Sequence, residues 1–88
     1  MAQNYETEAV VVIDGEEIQA YARFAVDADS TPKWWGGELE SDDSALAFKL
    51  INGRRASLRL PSGSEASIVP GEDRGRGASF TGSGRPPV

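Results

Sequence analysis

Asp14-Gly15 sits between two runs in which β-branched and aromatic residues alternate with polar ones. A two-residue connection of this type is a strong hairpin signal, because a type I′ turn needs positive φ at both central positions and Asp-Gly tolerates it. Tyr5 to Ile13 and Glu17 to Val26 are therefore expected to form an antiparallel pair. Alternation in the second run puts Ile18, Ala20, Ala22, Phe24 and Val26 on one face and Glu17, Gln19, Tyr21, Arg23 and Ala25 on the other. One face is core and one meets water.

The same reading continues along the chain. Asp27 to Pro32 is loop by composition, and Lys33 to Glu40 resumes a strand with Trp35 and Leu39 facing one way and Trp34, Glu38 and Glu40 the other. Ser41 to Gly53 admits two readings. As a helix near residues 42–51 it has Ser41 or Asp42 as N-cap, Asp43 favouring the helix dipole, a stripe of Ala47, Leu50 and Ile51, and Gly53 as a C′ stop. As a strand it points Leu46, Phe48 and Leu50 inward and turns at Asn52-Gly53. The paired acids at the start and the alanine content favour the helix. Arg54 to Leu60, Ser64 to Val69 and Ala78 to Gly82 complete the strands, with Pro70 to Gly77 as a charged loop. Gly84-Arg85-Pro86-Pro87 must leave the sheet, since consecutive prolines donate no ladder hydrogen bonds.

Six strands at this spacing predict an all-β domain: a compact six-stranded antiparallel barrel or sandwich with one short helix. The 88 residues suit one domain over 1–88, with 84–88 as a Pro-rich C-terminal tail. The expected core is Val11, Ile13, Ile18, Phe24, Trp35, Leu39, Leu50, Leu58, Leu60, Ile68 and Phe80.

Composition removes whole classes of chemistry. The chain has neither Cys nor His, so disulfides, Cys/His zinc sites, thiol nucleophiles and His-based acid–base schemes are excluded. No P-loop or Gly-x-Ser-x-Gly elbow occurs, and Gly75-x-Gly77-x-x-Phe80 lacks both the third glycine and the following helix of a dinucleotide fingerprint. The expectation is a non-enzyme without cofactor, metal or small-molecule ligand. The longest apolar run, Ala9 to Ile13, falls far short of the roughly 20 residues a membrane helix needs, which points to a cytoplasmic protein.

Charge is unevenly distributed along the chain. Residues 1–43 carry eleven acids against Arg23 and Lys33, a net of −9, whereas residues 44–88 carry seven bases against three acids, a net of +4. The acidic total of −5 argues against nucleic acid as a partner. Arg54, Arg55, Arg59, Arg74 and Arg76 are candidates for one face that binds phosphates or an acidic partner, or for an ordinary solvated surface. Trp34 joins them, because adjacent strand residues point to opposite faces and Trp35 shares the parity of Leu39. An exposed Trp is over-represented at binding hot spots; the alternative is that Trp34 packs on Tyr21 or on the Arg85-Pro86-Pro87 tail. Asp27-x-Asp29-x-Thr31 followed by Glu38 copies the ligand spacing of an EF-hand loop, but position 6 is Pro32 and the flanks are strands. An Asx-rich turn without metal is expected there.

Taken in order, Trp34-Trp35-Gly36-Gly37-Glu38-Leu39, Leu58-Arg59-Leu60-Pro61-Ser62-Gly63 and Thr81-Gly82-Ser83-Gly84-Arg85-Pro86-Pro87 resemble a family of small actinobacterial β-domains of unknown function. Small phage-encoded proteins of the same hosts look similar. The resemblance implies a non-catalytic protein-interaction or assembly module that contacts a protein partner or itself. It also implies two alternatives: a virion (decoration or tail) or host-takeover protein, and an accessory domain of a flavin-dependent monooxygenase system. It implies no catalytic residues.

Overall fold

A computed structural model describes residues 2–27, 34–42 and 45–88. Within them the chain forms β1 (Ala2–Ile13), β2 (Glu16–Asp27), β3 (Trp34–Glu40), α1 (Leu46–Asn52), β4 (Ala56–Arg59), β5 (Glu65–Asp73) and β6 (Gly77–Ser83). The strands close into an antiparallel barrel in the order β1-β2-β3-β6-β5-β4. Two three-stranded meanders, β1-β2-β3 and β4-β5-β6, are thus joined edge to edge through β3–β6 and β1–β4. The helix is the crossover between them.

The hairpin turn forms as expected, with Asp14 at φ 50° and Gly15 at φ 90° and with Ile13 opposite Glu16. Asp14 also does something its sequence position does not announce. Its carboxylate accepts the Arg54 N–H at 3.2 Å and the Arg55 N–H at 2.9 Å, while its own N–H donates to the Arg55 carbonyl at 3.0 Å. Those contacts replace ladder bonds, so β4 starts at Ala56 rather than Arg54. Asp14→Ala is expected to cost about 1–3 kcal/mol, because two amides lose their acceptor and alanine tolerates positive φ poorly. Asp14→Asn, which keeps one acceptor oxygen and the left-handed preference, is expected to cost clearly less; urea midpoints of the two variants check this.

All eleven expected core side chains are buried, joined by Ala9, Ala22, Val26, Leu46 and Ala78. Toward one end of the barrel the aromatic rings form a row. Tyr5 stacks on Phe24 at 5.2 Å, and Trp35 meets Phe24 and Phe80 edge to face at 5.9 and 5.8 Å. The helix packs at the other end, beside the β1–β2 turn, where Lys49 pairs with Glu16 at 2.6 Å.

Four expectations at the strand and helix ends are corrected. The helix exists, but its buried pair is Leu46 and Leu50, spaced i, i+4, whereas Ile51 and Phe48 are exposed. Its N-cap is Ala45, whose methyl cannot cap; the Ser41 hydroxyl instead donates to the Gln19 carbonyl at 2.7 Å, and Asp43 lies outside the described residues. Gly53 ends the helix in an extended conformation, φ −74°, not a left-handed one. It is needed for space, since a Cβ there would lie 2.5 Å from Ile13 Cγ2. The expected loop 70–77 is mostly strand: β5 runs on to Asp73 through an irregularity between Pro70 and Asp73. Beyond Ile68, β5 has no pairing with β4, so a proline without an N–H is tolerated on that edge. The Ser79 hydroxyl takes up the Glu72 N–H at 2.7 Å within the irregular stretch. As expected, residues 84–88 leave the sheet, but they do not hang free: Pro87 is buried and the Gly84 carbonyl accepts Trp35 Nε1–H at 3.2 Å.

Candidate functional site

Strand parity divides the two tryptophans as the alternation requires. Trp35 is 1% exposed and Trp34 is 49% exposed. Trp34 lies over Gly36, whose hypothetical Cβ would sit 3.3 Å from the indole Cζ2, so the missing side chain lets the ring lie close to the sheet. Gly36 pairs with Thr81, and Thr81 pairs with Val69. One rung along the same outer face, Ser83 pairs with Ser67, Ser67 with Ser57, and Ser57 with Val12.

The outer surface from β3 through β6, β5 and β4 to β1 is therefore built here from Trp34, a glycine, hydroxyl side chains and two valines, none of them charged, and on its β4 side the Ser57 hydroxyl donates to the Glu65 carboxylate at 2.6 Å. Val69 is 56% exposed. A groove of about 650 Å³ runs over Val12, Ser57, Ser67, Val69 and Ser83, and Arg54 and Arg55 stand on its border with Asp14. Val69 and the hydroxyl strip are not among the residues that charge or aromaticity marks out in the sequence. Their signal was present in the repetition of Ser or Thr at outward positions 57, 67, 79, 81 and 83.

The five arginines do not share one surface feature. Arg54 and Arg55, with Asp14, line one end of the groove over the hydroxyl strip, while Arg76 borders a separate acidic one of about 320 Å³ formed by Glu8, Glu40 and Asp42 beside Tyr21. Arg59 is paired with Glu17 and lies 4.0 Å from Glu65. Its hydrogen bond with Glu17 raises the guanidinium pKa above its ordinary value, with burial opposing and the charges of Glu17 and Glu65 adding. That raises a value already far above neutrality, so Arg59 stays charged throughout the range in which the protein works and adds no pH dependence there. Arg74 reaches Glu38 at 4.0 Å and Glu72 at 3.6 Å.

Ion pairs join the two halves of the chain. The acids Glu16, Glu17 and Glu38 come from the first half of the chain and their partners Lys49, Arg59 and Arg74 from the second. Because the meanders join edge to edge, much of the contrast along the sequence is neutralised across the β1–β4 and β3–β6 seams. Each pair is exposed and contributes little, with exposed pairs typically worth about 0.2–1 kcal/mol.

Of the EF-hand-like segment, Asp29, Thr31 and Pro32 lie outside the described residues. Asp27 pairs with Trp34 and Glu38 with Arg23 in the β2–β3 ladder. Among the described residues no group of three or more carboxylates converges as a metal-binding set. No helix among them is long and apolar enough to cross a membrane.

Fold and surface together define a small closed barrel, stoppered by a short helix, with one aromatic-bordered uncharged face. No family model, curated protein or solved structure matches the chain.

Proposed function

We propose that the protein is a non-catalytic interaction or assembly module, docking on a partner protein through the outer face of β3, β6 and β5 with Trp34 as anchor. The observation that carries this reading is the half-exposed indole at the border of a charge-free strip, in a chain of which 26% is charged. Surfaces kept only for solubility are studded with charge, whereas the centres of protein interfaces are depleted of it and enriched in Trp. Arg54 and Arg55 form the rim and favour a partner whose contact surface is edged with carboxylates.

The test is a titration of a partner recovered with the full chain from its source cells, at low and high salt, using Trp34→Ala and Arg54→Glu/Arg55→Glu. Trp34→Ala is expected to weaken binding about tenfold or more, as truncation of a hot-spot Trp does. The double charge reversal is expected to slow association and flatten the salt dependence, because rim charges act through steering that salt screens over about 8–10 Å. Affinity indifferent to both variants and to salt overturns the reading.

A further inference from the structure

Among the described residues, two stretches of strand edge have no strand beside them. β4 pairs with β1 only from Val10 to Ile13, so Ala2 to Ala9 are held by β2 alone. β4 likewise pairs with β5 only from Glu65 to Ile68, leaving Val69 to Asp73 with one neighbour. An unpaired strand edge is a template for another strand, and proteins blunt such edges with proline, bulges and charge. The β5 edge has all three: Pro70, the irregular stretch up to Asp73, and Glu72 beside Asp73. The β1 edge has neither proline nor bulge over its regular register from Ala2 to Ile13.

The direction of the backbone groups on that edge follows from the turn. In a two-residue hairpin the residues flanking the turn, here Ile13 and Glu16, are a hydrogen-bonded pair. Odd-numbered residues of β1 therefore bond to β2, and even-numbered ones present their N–H and C=O to the opposite edge. The Asp14 N–H, which donates to the Arg55 carbonyl on the β4 side, has the expected parity. Ala2, Asn4, Glu6 and Glu8 thus offer their backbone groups outward. The Glu8 carbonyl already accepts the Thr7 hydroxyl at 3.0 Å, but a carbonyl has a second lone pair.

We infer that two copies of the chain pair antiparallel through this edge, with the two-fold axis at Tyr5. In an antiparallel pair, opposed residues share a face, so the sum of their numbers about a two-fold must be even. With Tyr5 opposite itself, Asn4 faces Glu6 and Ala2 faces Glu8 of the second copy, and all four even-numbered residues fall on hydrogen-bonded rungs. A shift of the centre to Glu6 opposes two glutamates, which is destabilising. A shift to Asn4 leaves Glu8 without a partner strand residue. The Tyr5 register is the one in which every outward amide pairs and no like charges face each other. Glu6 is moreover held by Arg23 at 3.6 Å, which tempers its charge at the seam. The product is a continuous sheet β3-β2-β1 from each copy across the axis. It uses a different edge from the Trp34 face and does not depend on a partner docking there.

Sedimentation of the full chain over a range of micromolar concentrations, with two opposite substitutions at one exposed position, tests the register. Asn4→Lys sets a cation opposite Glu6 twice per dimer and is expected to tighten association about three- to tenfold; Asn4→Glu sets like charges there and is expected to weaken it by a similar factor. Glu6→Pro, which deletes an outward amide without touching the β2 ladder, is expected to yield a folded monomer. A chain that stays monomeric at the highest concentration overturns the inference. So does a dimer indifferent to both Asn4 substitutions, which would place the contact elsewhere, as would a dimer that survives Glu6→Pro but is lost in Trp34→Ala.

Discussion

Trp35→Ala is expected to destabilise the domain by about 3–5 kcal/mol, the usual range for emptying a buried Trp site, and Trp34→Ala by no more than about 1 kcal/mol. The two residues are neighbours in sequence and identical in chemistry, so the difference measures what burial and the contacts that come with it contribute. Trp35 is in edge-to-face contact with both Phe24 and Phe80, and its Nε1 ties the strand face to Gly84 at the start of the C-terminal segment. Removing it breaks the middle of the aromatic row and releases the segment that the row anchors. Small domains hold only about 5–15 kcal/mol in total. Trp35→Ala is therefore expected to shift the thermal midpoint by more than ten degrees at roughly 4–8 °C per kcal/mol, or to leave the chain unfolded at room temperature. Equal midpoints for the two variants would mean that the parity of β3 is wrong.

Parity was the most legible property of this sequence. Alternation places Val11, Ile18, Phe24, Leu39, Leu58 and Phe80 inside from the chain alone, and the barrel buries each of them. Ends were harder, because they depend on partners far away in sequence. The amides of Arg54 and Arg55 leave the ladder for a carboxylate forty residues earlier, and no local pattern encodes that choice. The helix shows a related difficulty: Leu46, Phe48 and Leu50 all point inward if the segment is a strand, whereas the helix that forms buries Leu46 and Leu50 one turn apart and leaves Phe48 on the outer face.

The candidate surface was half visible. The exposure of Trp34 follows from its neighbour's burial, whereas the dispersal of the arginines follows from the order in which strands meet. A sequence with acids first and bases later looks bipolar only while it is linear. Joining β1 to β4 and β3 to β6 brings Glu17 to Arg59 and Glu38 to Arg74. What remains unneutralised and uncharged is decided by topology, which is why the hydroxyl strip emerged only with the sheet order in hand.

Gly82→Ala is the second substitution expected to be severe, and it probes the same aromatic row from the opposite side. Gly82 is an outer neighbour of no one: its hydrogen side points inward, and a Cβ there would fall 1.8 Å from Trp35 Cε2 and 2.1 Å from Nε1. The indole lies flat on the glycine, so β6 supplies a floor for the ring rather than a side chain beside it. The ring cannot yield easily, because Phe24 and Phe80 hold it from two directions. Overpacking of this kind typically costs about 1–3 kcal/mol and sometimes more, and the absence of a flexible neighbour places Gly82→Ala at or above the upper end. A double-mutant cycle separates this clash from any backbone preference of glycine. In a Trp35→Leu background the smaller side chain leaves room for the methyl group, and Gly82→Ala is then expected to cost less than about 1 kcal/mol, a coupling of at least about 2 kcal/mol between residues in contact. An equal cost in both backgrounds would show that position 82 needs glycine for its backbone and that the indole does not rest on it.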